Sequence, residues 1–180
     1  MKKSRLVKLA LLAFVAYFLP HSLQAQDEEA EKLISESSKA KTDFIKTDPS
    51  MAALFESSYG YLIFPKIGKG GFIVGGSGGD GILYEKGKAI GLVKTGQVTV
   101  GAQIGGQAYR EVIFFENQYA LERMKQSKTE FSGQISAVAV KSGVSKNAKY
   151  TDGVSVFTQD LGGLMAEATV GGQKFKYTPF

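Results

Sequence analysis

The spacing of apolar and polar side chains changes once along this chain, close to residue 58. Before that point, residues 27–46 lack glycine and proline, and small or apolar residues recur at helical intervals. The residues on this repeat are Leu33, Ser37, Ala40 and Phe44. Such spacing predicts an amphipathic helix packed on its own domain. Asp48 and Pro49 are typical of an N-cap and a first helical residue, so they predict a second, short helix that ends near residue 57.

After residue 59 the side chains alternate with a period of two, which is typical of β-strands. The alternation is clearest in residues 97–104, and the apolar run 112–115 predicts a strand that is buried on both faces. Asn117 is predicted to cap a helix that ends near Gln126. The predicted strands are 59–64, which Pro65 ends, 71–74, 82–84, 97–104, 109–115, 134–140, 154–157, 164–170 and 174–177.

Glycine is concentrated in the second part of the chain, since all 22 glycines lie between Gly60 and Gly172. Glycines within predicted strands, such as Gly91 and Gly101, fit positions where two backbones approach closely or the chain bends tightly. Short strands joined by glycine turns favour an antiparallel sheet. The sequence therefore predicts an α+β fold, with a curled antiparallel sheet that resembles a barrel or a sandwich, N-terminal helices and one mid-chain helix.

The first 25 residues have the layout of a secretory signal peptide. Basic residues precede an unbroken apolar run, residues 9–19, and Ala25 is a small residue suited to the cleavage position. This run is shorter than the about 20 residues that span a bilayer, although an uncleaved membrane anchor is the alternative. We predict a signal peptide at 1–25 and one exported domain at 26–180, peripheral to the membrane in the periplasm or cell envelope. Within it, residues 26–58 form a helical front and residues 59–180 a glycine-rich β body.

Charge and residue types exclude several functions once the signal peptide is removed. The remaining 155 residues carry 18 basic and 17 acidic side chains, so the sequence pI of about 9.2 does not indicate a partner nucleic acid. They contain neither histidine nor cysteine, because the chain has no cysteine and its one histidine, His21, lies in the predicted signal peptide. Ser–His–Asp and Cys–His sites are thereby excluded, as are the usual zinc, copper and haem ligands. The sequence predicts a protein that is not an enzyme and holds no cofactor or metal.

The glycine cluster at residues 75–83 matches two ligand-binding patterns, and its context argues against both. Residues 76–81 fit G-x-G-x-x-G, but the dinucleotide fingerprint needs a helix directly afterwards, and residues 82–84 are predicted to form a strand. Residues 75–83 also fit one calcium-binding nonapeptide, and a single copy cannot close a site. We predict instead a hairpin turn in which Asp80 stabilises its own backbone.

Lysines adjoin this cluster and form the candidate binding site. Lys66 and Lys69 flank a glycine-bearing turn, an arrangement that can hold a phosphate or a lipid headgroup, and the alternative is two solvated turn lysines. Beyond residue 48 the chain carries 14 basic and 10 acidic residues, a bias that suits contact with an anionic surface. The candidate lipid-binding residues are Lys66, Lys69, Lys86, Lys88 and Lys94.

Several ordered motifs resemble the SYLF domain family. The segment GYLIFPKIGKGGFIVGG, residues 60–76, is similar to the family's opening signature. Residues 81–83, 101–107 and 112–115 resemble its next blocks, and residues 161–166 and 171–175 resemble its close. The resemblance extends from about residue 28 to residue 177. It implies a phospholipid-binding module, whose bacterial members are exported as single domains and whose eukaryotic members bind phosphoinositides and in some cases actin filaments.

The chain departs from the eukaryotic members of that family. No partner domain such as SH3 is recognised within its 180 residues. Residues 26–48 carry seven acidic and four basic side chains, and this acidic helix is unsuited to insertion into an anionic membrane. An exported location argues against actin as a partner. The predicted function is therefore non-catalytic contact with anionic phospholipid headgroups at the cell envelope.

Two other functions remain open from the sequence. An integral outer-membrane β-barrel would fit the export signal, the alternating glycine-rich strands and the terminal Phe180, although such strands need about 9–11 residues and the predicted ones are shorter. A structural envelope protein without a ligand is the other alternative. The sequence leaves the identity of the lipid and the oligomeric state open.

Overall fold

The structure, a computed structural model, describes residues 28–71, 74–100, 107–126, 137–162 and 173–180. Leu33–Phe180 forms one compact unit, which holds the sheet and the candidate site. Several predicted segments lie outside the described residues. They are the signal peptide 1–25, residues 101–104 of the strand 97–104, the start of the strand 134–140, and the strand 164–170.

The described helices agree in number and place with the predicted ones. They are α1 at residues 28–47, α2 at Met51–Ser57 and α3 at Gln118–Lys125, with a short 3-10 helix at Val144–Asn147. Asn117 caps α3 as predicted, because its side-chain oxygen accepts a hydrogen bond of 3.0 Å from the backbone N–H of Ala120. This cap fixes where the chain leaves the sheet and starts the mid-chain helix.

The prediction of Asp48 as the N-cap of α2 is wrong, because the cap residue is Ser50 and Pro49 precedes the helix. The buried Asp48 carboxylate instead accepts backbone N–H groups from Ser50 at 3.1 Å, Gly143 at 3.0 Å and Ser145 at 2.8 Å. It thereby fastens the α1–α2 corner to a distant loop. Burial alone would raise the pKa of Asp48, but hydrogen bonds from the Ser50 hydroxyl group, from Ser145 and from the N–H group of Gly143 outweigh it and hold the pKa well below its usual value.

The described strands form one sheet. They are β1 (Gly60–Gly71), β2 (Val74–Glu85), β3 (Lys88–Val100), β4 (Gln107–Phe115), β5 (Val138–Ala139), β6 (Val154–Gly162) and β7 (Lys174–Pro179). Their order is β5-β6-β4-β1-β2-β3-β7, and neighbours are antiparallel except for β5 and β6. The predicted α+β class with a curled sheet is confirmed, and the sheet formed by the described strands is open, with β5 and β7 at its edges.

Pro65 does not end the first strand, as the sequence predicted. β1 continues to Gly71, and its register against β4 shifts between Phe64 and Ile67. Proline has no N–H to give to the ladder, so it is tolerated in a strand where a bulge interrupts the pairing. Because β1 pairs with a strand on each side, it continues beyond Pro65, although proline alone would predict the end of the strand.

The glycine cluster is also a strand and not a turn. Residues 74–81 belong to β2 and pair with β3 along their whole length. Of the predicted strand 71–74, Gly71 belongs to β1 and Val74 to β2, which pair antiparallel, and residues 72 and 73 lie outside the described residues. Asp80 lies opposite Lys94 in the ladder, so it does not stabilise a hairpin turn. Glycine weakens an isolated strand, but two hydrogen-bonded neighbours override that local preference.

Both faces of the sheet are buried. On what we call the helical face, α1 and α2 pack against the sheet, and the Phe55 ring centroid lies 5.0 Å from that of Tyr61 and 4.8 Å from that of Phe114. On the opposite, inner face, α3 contributes Leu121 to a second core. The run 112–115 alternates between the two cores, which confirms that this segment is buried on both sides.

The sheet curls around its inner face. Gln173, just before β7, donates a hydrogen bond of 3.4 Å to the carboxyl group of Glu111 on β4. Three strands, β1, β2 and β3, separate β7 from β4 in the sheet order, so a flat sheet would keep these side chains far apart. The ring centroids of Phe175 on β7 and Phe64 on β1 are likewise 6.1 Å apart. The curl therefore encloses the inner core, although the described strands do not pair into a closed barrel.

Glycines permit the close backbone contacts within the curl. A Cβ atom on Gly81 would lie 2.6 Å from the Phe64 ring, and one on Gly91 would lie 2.5 Å from the carbonyl oxygen of Thr178. The predicted close approach at Gly91 is confirmed, while Gly101 lies outside the described residues. Neither Gly81 nor Gly91 can be replaced without moving a neighbouring strand.

We expect Asp48→Asn to destabilise the folded protein by about 1–3 kcal/mol at neutral pH, because buried backbone N–H groups lose a charged acceptor. The folded carboxylate stays ionised at a pH where the unfolded one takes up a proton. Its contribution is therefore full above about pH 4 and fades as the pH falls further. Urea unfolding should show a smaller difference from wild type near pH 3 than near pH 7. Glu56→Gln, on the exposed side of α2, is the control, and an equal loss in both variants would contradict this role.

Gly81→Ala should cost about 2–3 kcal/mol of folding free energy, because its methyl group overlaps the Phe64 ring and the β1 backbone. Gly96→Ala is the matched control, since the space beside Gly96 on β3 is open to at least 4 Å. Chemical unfolding of both variants measures the difference. Similar midpoints for the two would show that the curl does not depend on the contact at Gly81.

Candidate functional site

A row of polar side chains crosses the helical face of the sheet from β6 to β7. Its members, which we call the polar row, are Gln159, Arg110, Lys66, Asp80, Lys94 and Lys176. In the strand registers Arg110 pairs with Gln159, Asp80 with Lys94, and Lys94 with Lys176. Because opposed residues of paired strands point to the same face, the pairing aligns these side chains across the sheet.

The contact of Arg110 with α1 places the β4 part of the row on the helical face. Arg110 forms an ion pair with Asp43 of α1, and Asp80 forms one of 3.1 Å with Lys94. Lys66 enters the row from the β1 bulge, where it lines the same cavity as Arg110. The bulge is therefore what brings a lysine of β1 level with the charged residues of the neighbouring strands.

The row borders the apolar area that α1 and α2 cover. Each of four row members has an apolar residue two positions away on its own strand, within the core of the helical face. These residues are Ile82 near Asp80, Leu92 near Lys94, Val112 near Arg110 and Phe157 near Gln159. Residues two apart on a strand share a face, so these four strands change from apolar to polar at the same level.

The exposed part of the row carries an excess of positive charge. Lys66, Lys94 and Lys176 are exposed, and Asp80 is the acidic member. Lys94 remains 68% exposed although it pairs with Asp80, so water screens this ion pair and the ammonium group stays accessible. Arg110 differs from the lysines, because its side chain is only 16% exposed.

The structure divides the five predicted lysines. Lys66 and Lys94 belong to the polar row. Lys69 lies farther along β1, and its side chain lies outside the described residues. Lys86 and Lys88 lie at the β2–β3 turn, and the six residue steps from Lys88 to Lys94 along β3 span about 20 Å. At the turn, Lys86 adopts a positive φ of 50°, and its Nζ lies 5.2 Å from the Tyr59 ring centroid.

Two basic members of the row are not among the predicted binding residues. Arg110 comes two residues before the buried run 112–115, and Lys176 lies in the predicted strand 174–177. Each occupies an alternating position in a strand. This position indicates on which face of the sheet the side chain lies, but not which residues of adjacent strands lie beside it. The pairing of Lys176 with Lys94 is a property of the register and joins residues that are far apart in the chain.

A groove lies between α1 and the covered end of the row. Two adjoining cavities of about 330 and 380 Å³ form this α1 groove, and they share Asp43 and Arg110. The other residues of the first are Glu36, Lys39, Ala40, Pro65, Lys66 and Leu161, and those of the second are Lys46, Thr47, Gln159 and Asp160. Arg110 therefore lies where the two cavities meet.

A second polar cluster is buried on the inner face. Glu111 is completely buried, and burial raises the pKa of its carboxyl group to about 8, so the proton is largely retained at neutral pH. Burial also raises the pKa of Tyr109. Within the described part of the chain, the Oε1 atoms of Glu111 and Gln173 and the Oγ1 atom of Thr95 are buried without a hydrogen-bond partner. These three atoms belong to residues of the inner face.

Two further properties of the described residues bear on the kind of site present. Among the residues that the structure describes, no group of three or more acidic, histidine or cysteine side chains is arranged to hold a metal ion. Of the helices described, none has both the length and the apolar character needed to cross a membrane.

Comparison with known proteins finds a distant relative. No protein family model matches the chain. The chain is 27% identical over 135 residues to the Beta cell expansion factor A of Aeromonas veronii, in an alignment that covers 71% of this chain and 49% of that protein. The chain thus spans about half the length of the relative that it matches.

Glu111→Gln should stabilise the protein more at pH 8 than at pH 5. Because the folded pKa of Glu111 is raised above its unfolded value, the folded state holds the proton longer, and wild-type stability falls as the pH rises from about 4.5 to about 8. Glutamine cannot ionise and removes this loss. Thermal unfolding of wild type and variant at both pH values measures it, with the exposed Glu116→Gln as control. A stability difference that does not grow with pH would contradict the assignment.

Proposed function

We propose that this protein is an exported, non-catalytic phospholipid-binding protein that contacts anionic membrane surfaces through the polar row. The observation that carries the proposal is the alignment of three exposed lysines from three strands, Lys66, Lys94 and Lys176, where helical cover of the sheet ends. An exposed line of ammonium groups suits a flat, negatively charged surface.

The energetic scale fits weak, reversible binding. A lysine near an anionic membrane contributes about 1 kcal/mol, so three contribute about 3 kcal/mol before any further contact. Such binding depends on the lipid charge and weakens as salt screens it within about 10 Å. The proposal therefore describes a peripheral protein that exchanges between membrane and water.

Two features of the sequence support the proposal. The motifs at residues 60–76 and beyond resemble the SYLF domain family, whose members bind phospholipids. The basic and apolar start of the chain, residues 1–25, resembles a secretory signal peptide, which would place the domain at the cell envelope. The lack of histidine and cysteine after residue 25 supports a non-catalytic role.

Equal changes of charge at two places test the role of the row. Lys66→Gln/Lys94→Gln/Lys176→Gln should weaken co-sedimentation with phosphatidylglycerol vesicles by about 100-fold, because three lysine contacts are lost. Lys86→Gln/Lys88→Gln/Lys146→Gln removes the same charge from the β2–β3 turn and the 3-10 helix, and it should bind nearly as well as wild type. Wild type should bind phosphatidylcholine vesicles weakly.

Three results would contradict the proposal. Equal losses in the two triple variants would mean that overall charge, and not the row, sets the affinity. A wild-type protein that does not bind phosphatidylglycerol vesicles would contradict lipid binding itself. Protein that stays in the membrane pellet after alkaline carbonate extraction would not be peripheral.

A further inference from the structure

Arg110 has an incompletely satisfied guanidinium group at the base of the α1 groove. Its Nη1 donates to Asp43, which leaves the Nε–H on another edge of the same planar group. That Nε atom is buried and has no hydrogen-bond acceptor among the described residues. Nearly all buried donors in native proteins have an acceptor, so an unpartnered donor in a groove is available to a water molecule or a ligand.

The surroundings of Arg110 favour an anion as that ligand. Lys39, Lys46 and Lys66 are exposed residues that line the groove. The acidic residues of the groove are Glu36, Asp43 and Asp160, and the carboxylate of Asp43 is already paired with Arg110. Positive charges therefore outnumber negative ones around an arginine donor that lacks an acceptor.

The geometry of arginine narrows the ligand further. A guanidinium group presents parallel N–H donors that match two oxygens of one phosphate or carboxylate group, whereas lysine acts as a point charge. The first cavity also has apolar walls at Ala40, Pro65 and the partly exposed Leu161. A phosphate group with a small organic substituent fits both the charged base and these walls.

We propose that the α1 groove binds a single phosphate group, with Arg110 as its principal ligand and Lys39 and Lys66 as supporting cations. Asp43 is a competing anion that holds Arg110 in place when no phosphate is present. The phosphate belongs to a soluble phosphate ester or to a phospholipid headgroup. The second source rests on the proposed membrane function, whereas binding of phosphate itself does not.

The nitrogen–proton signal of Arg110 Nε in the full chain gives a direct test by nuclear magnetic resonance. Sodium phosphate should move this signal saturably, and sodium chloride of equal ionic strength should not. Arg110→Lys keeps the charge but loses the planar donors, so it should weaken phosphate binding by about tenfold or more, followed at the backbone signals of the groove. Arg123→Lys on α3 should have no effect, and Asp43→Asn should tighten binding.

The same titrations show how the proposal fails. It is overturned if phosphate moves the Arg110 signal no more than chloride does, or if Arg110→Lys binds phosphate as tightly as wild type. Weaker binding of phosphate by Asp43→Asn would overturn the role given to Asp43. A correctly folded Arg110→Lys is verified by an unchanged spectrum away from α1.

Vesicles separate the two sources of phosphate. If Arg110→Lys loses affinity for vesicles that contain phosphatidic acid, and glycerol phosphate competes with those vesicles, the ligand is a lipid headgroup. If Arg110→Lys loses affinity for phosphate but binds vesicles as tightly as wild type does, the ligand is a soluble phosphate ester. If wild type binds phosphate but no vesicles, the membrane function fails and the groove assignment stands.

Discussion

At Gly81 and Gly91 one strand lies so close to its neighbours that a Cβ atom has no room. These contacts let the sheet curl until Gln173 beside β7 reaches Glu111 on β4. The curl encloses the inner core and leaves the helical face as the outer surface of the bend. The helices α1 and α2 cover only part of that surface. The edge of the covered area therefore determines where charged side chains are exposed to water.

Two buried carboxyl groups illustrate how local hydrogen bonding decides the cost of burial. Asp48 receives several N–H donors, and its pKa lies below the usual range. Glu111 receives one weak donor from Gln173, and burial raises its pKa. The first group stabilises a corner of the fold as an ion, whereas the second is accommodated as a neutral acid. The inner face therefore tolerates polar atoms that it does not fully satisfy.

The polar row and the α1 groove suit different kinds of anion. The row offers exposed ammonium groups in a line, which favours a surface of spread charge and gives little chemical selectivity. The groove offers a mostly buried guanidinium group beside apolar walls, which favours one defined group. Lys66 and Arg110 belong to both, so a headgroup in the groove and a membrane along the row are compatible contacts on the same face.

Features that depend on neighbours along the chain could be predicted from the order of the amino acids. The helical repeat of α1, the Asn117 cap, the doubly buried run 112–115 and the α+β class follow from spacing and residue type, and the structure confirms them. The export signal and the lipid-binding role stay predictions. Three outcomes required the folded structure. They are that β1 continues past Pro65, that the glycine cluster forms a strand, and which lysines lie side by side. These outcomes depend on strand register, which joins residues that are distant in the chain and leaves no local signal in the sequence.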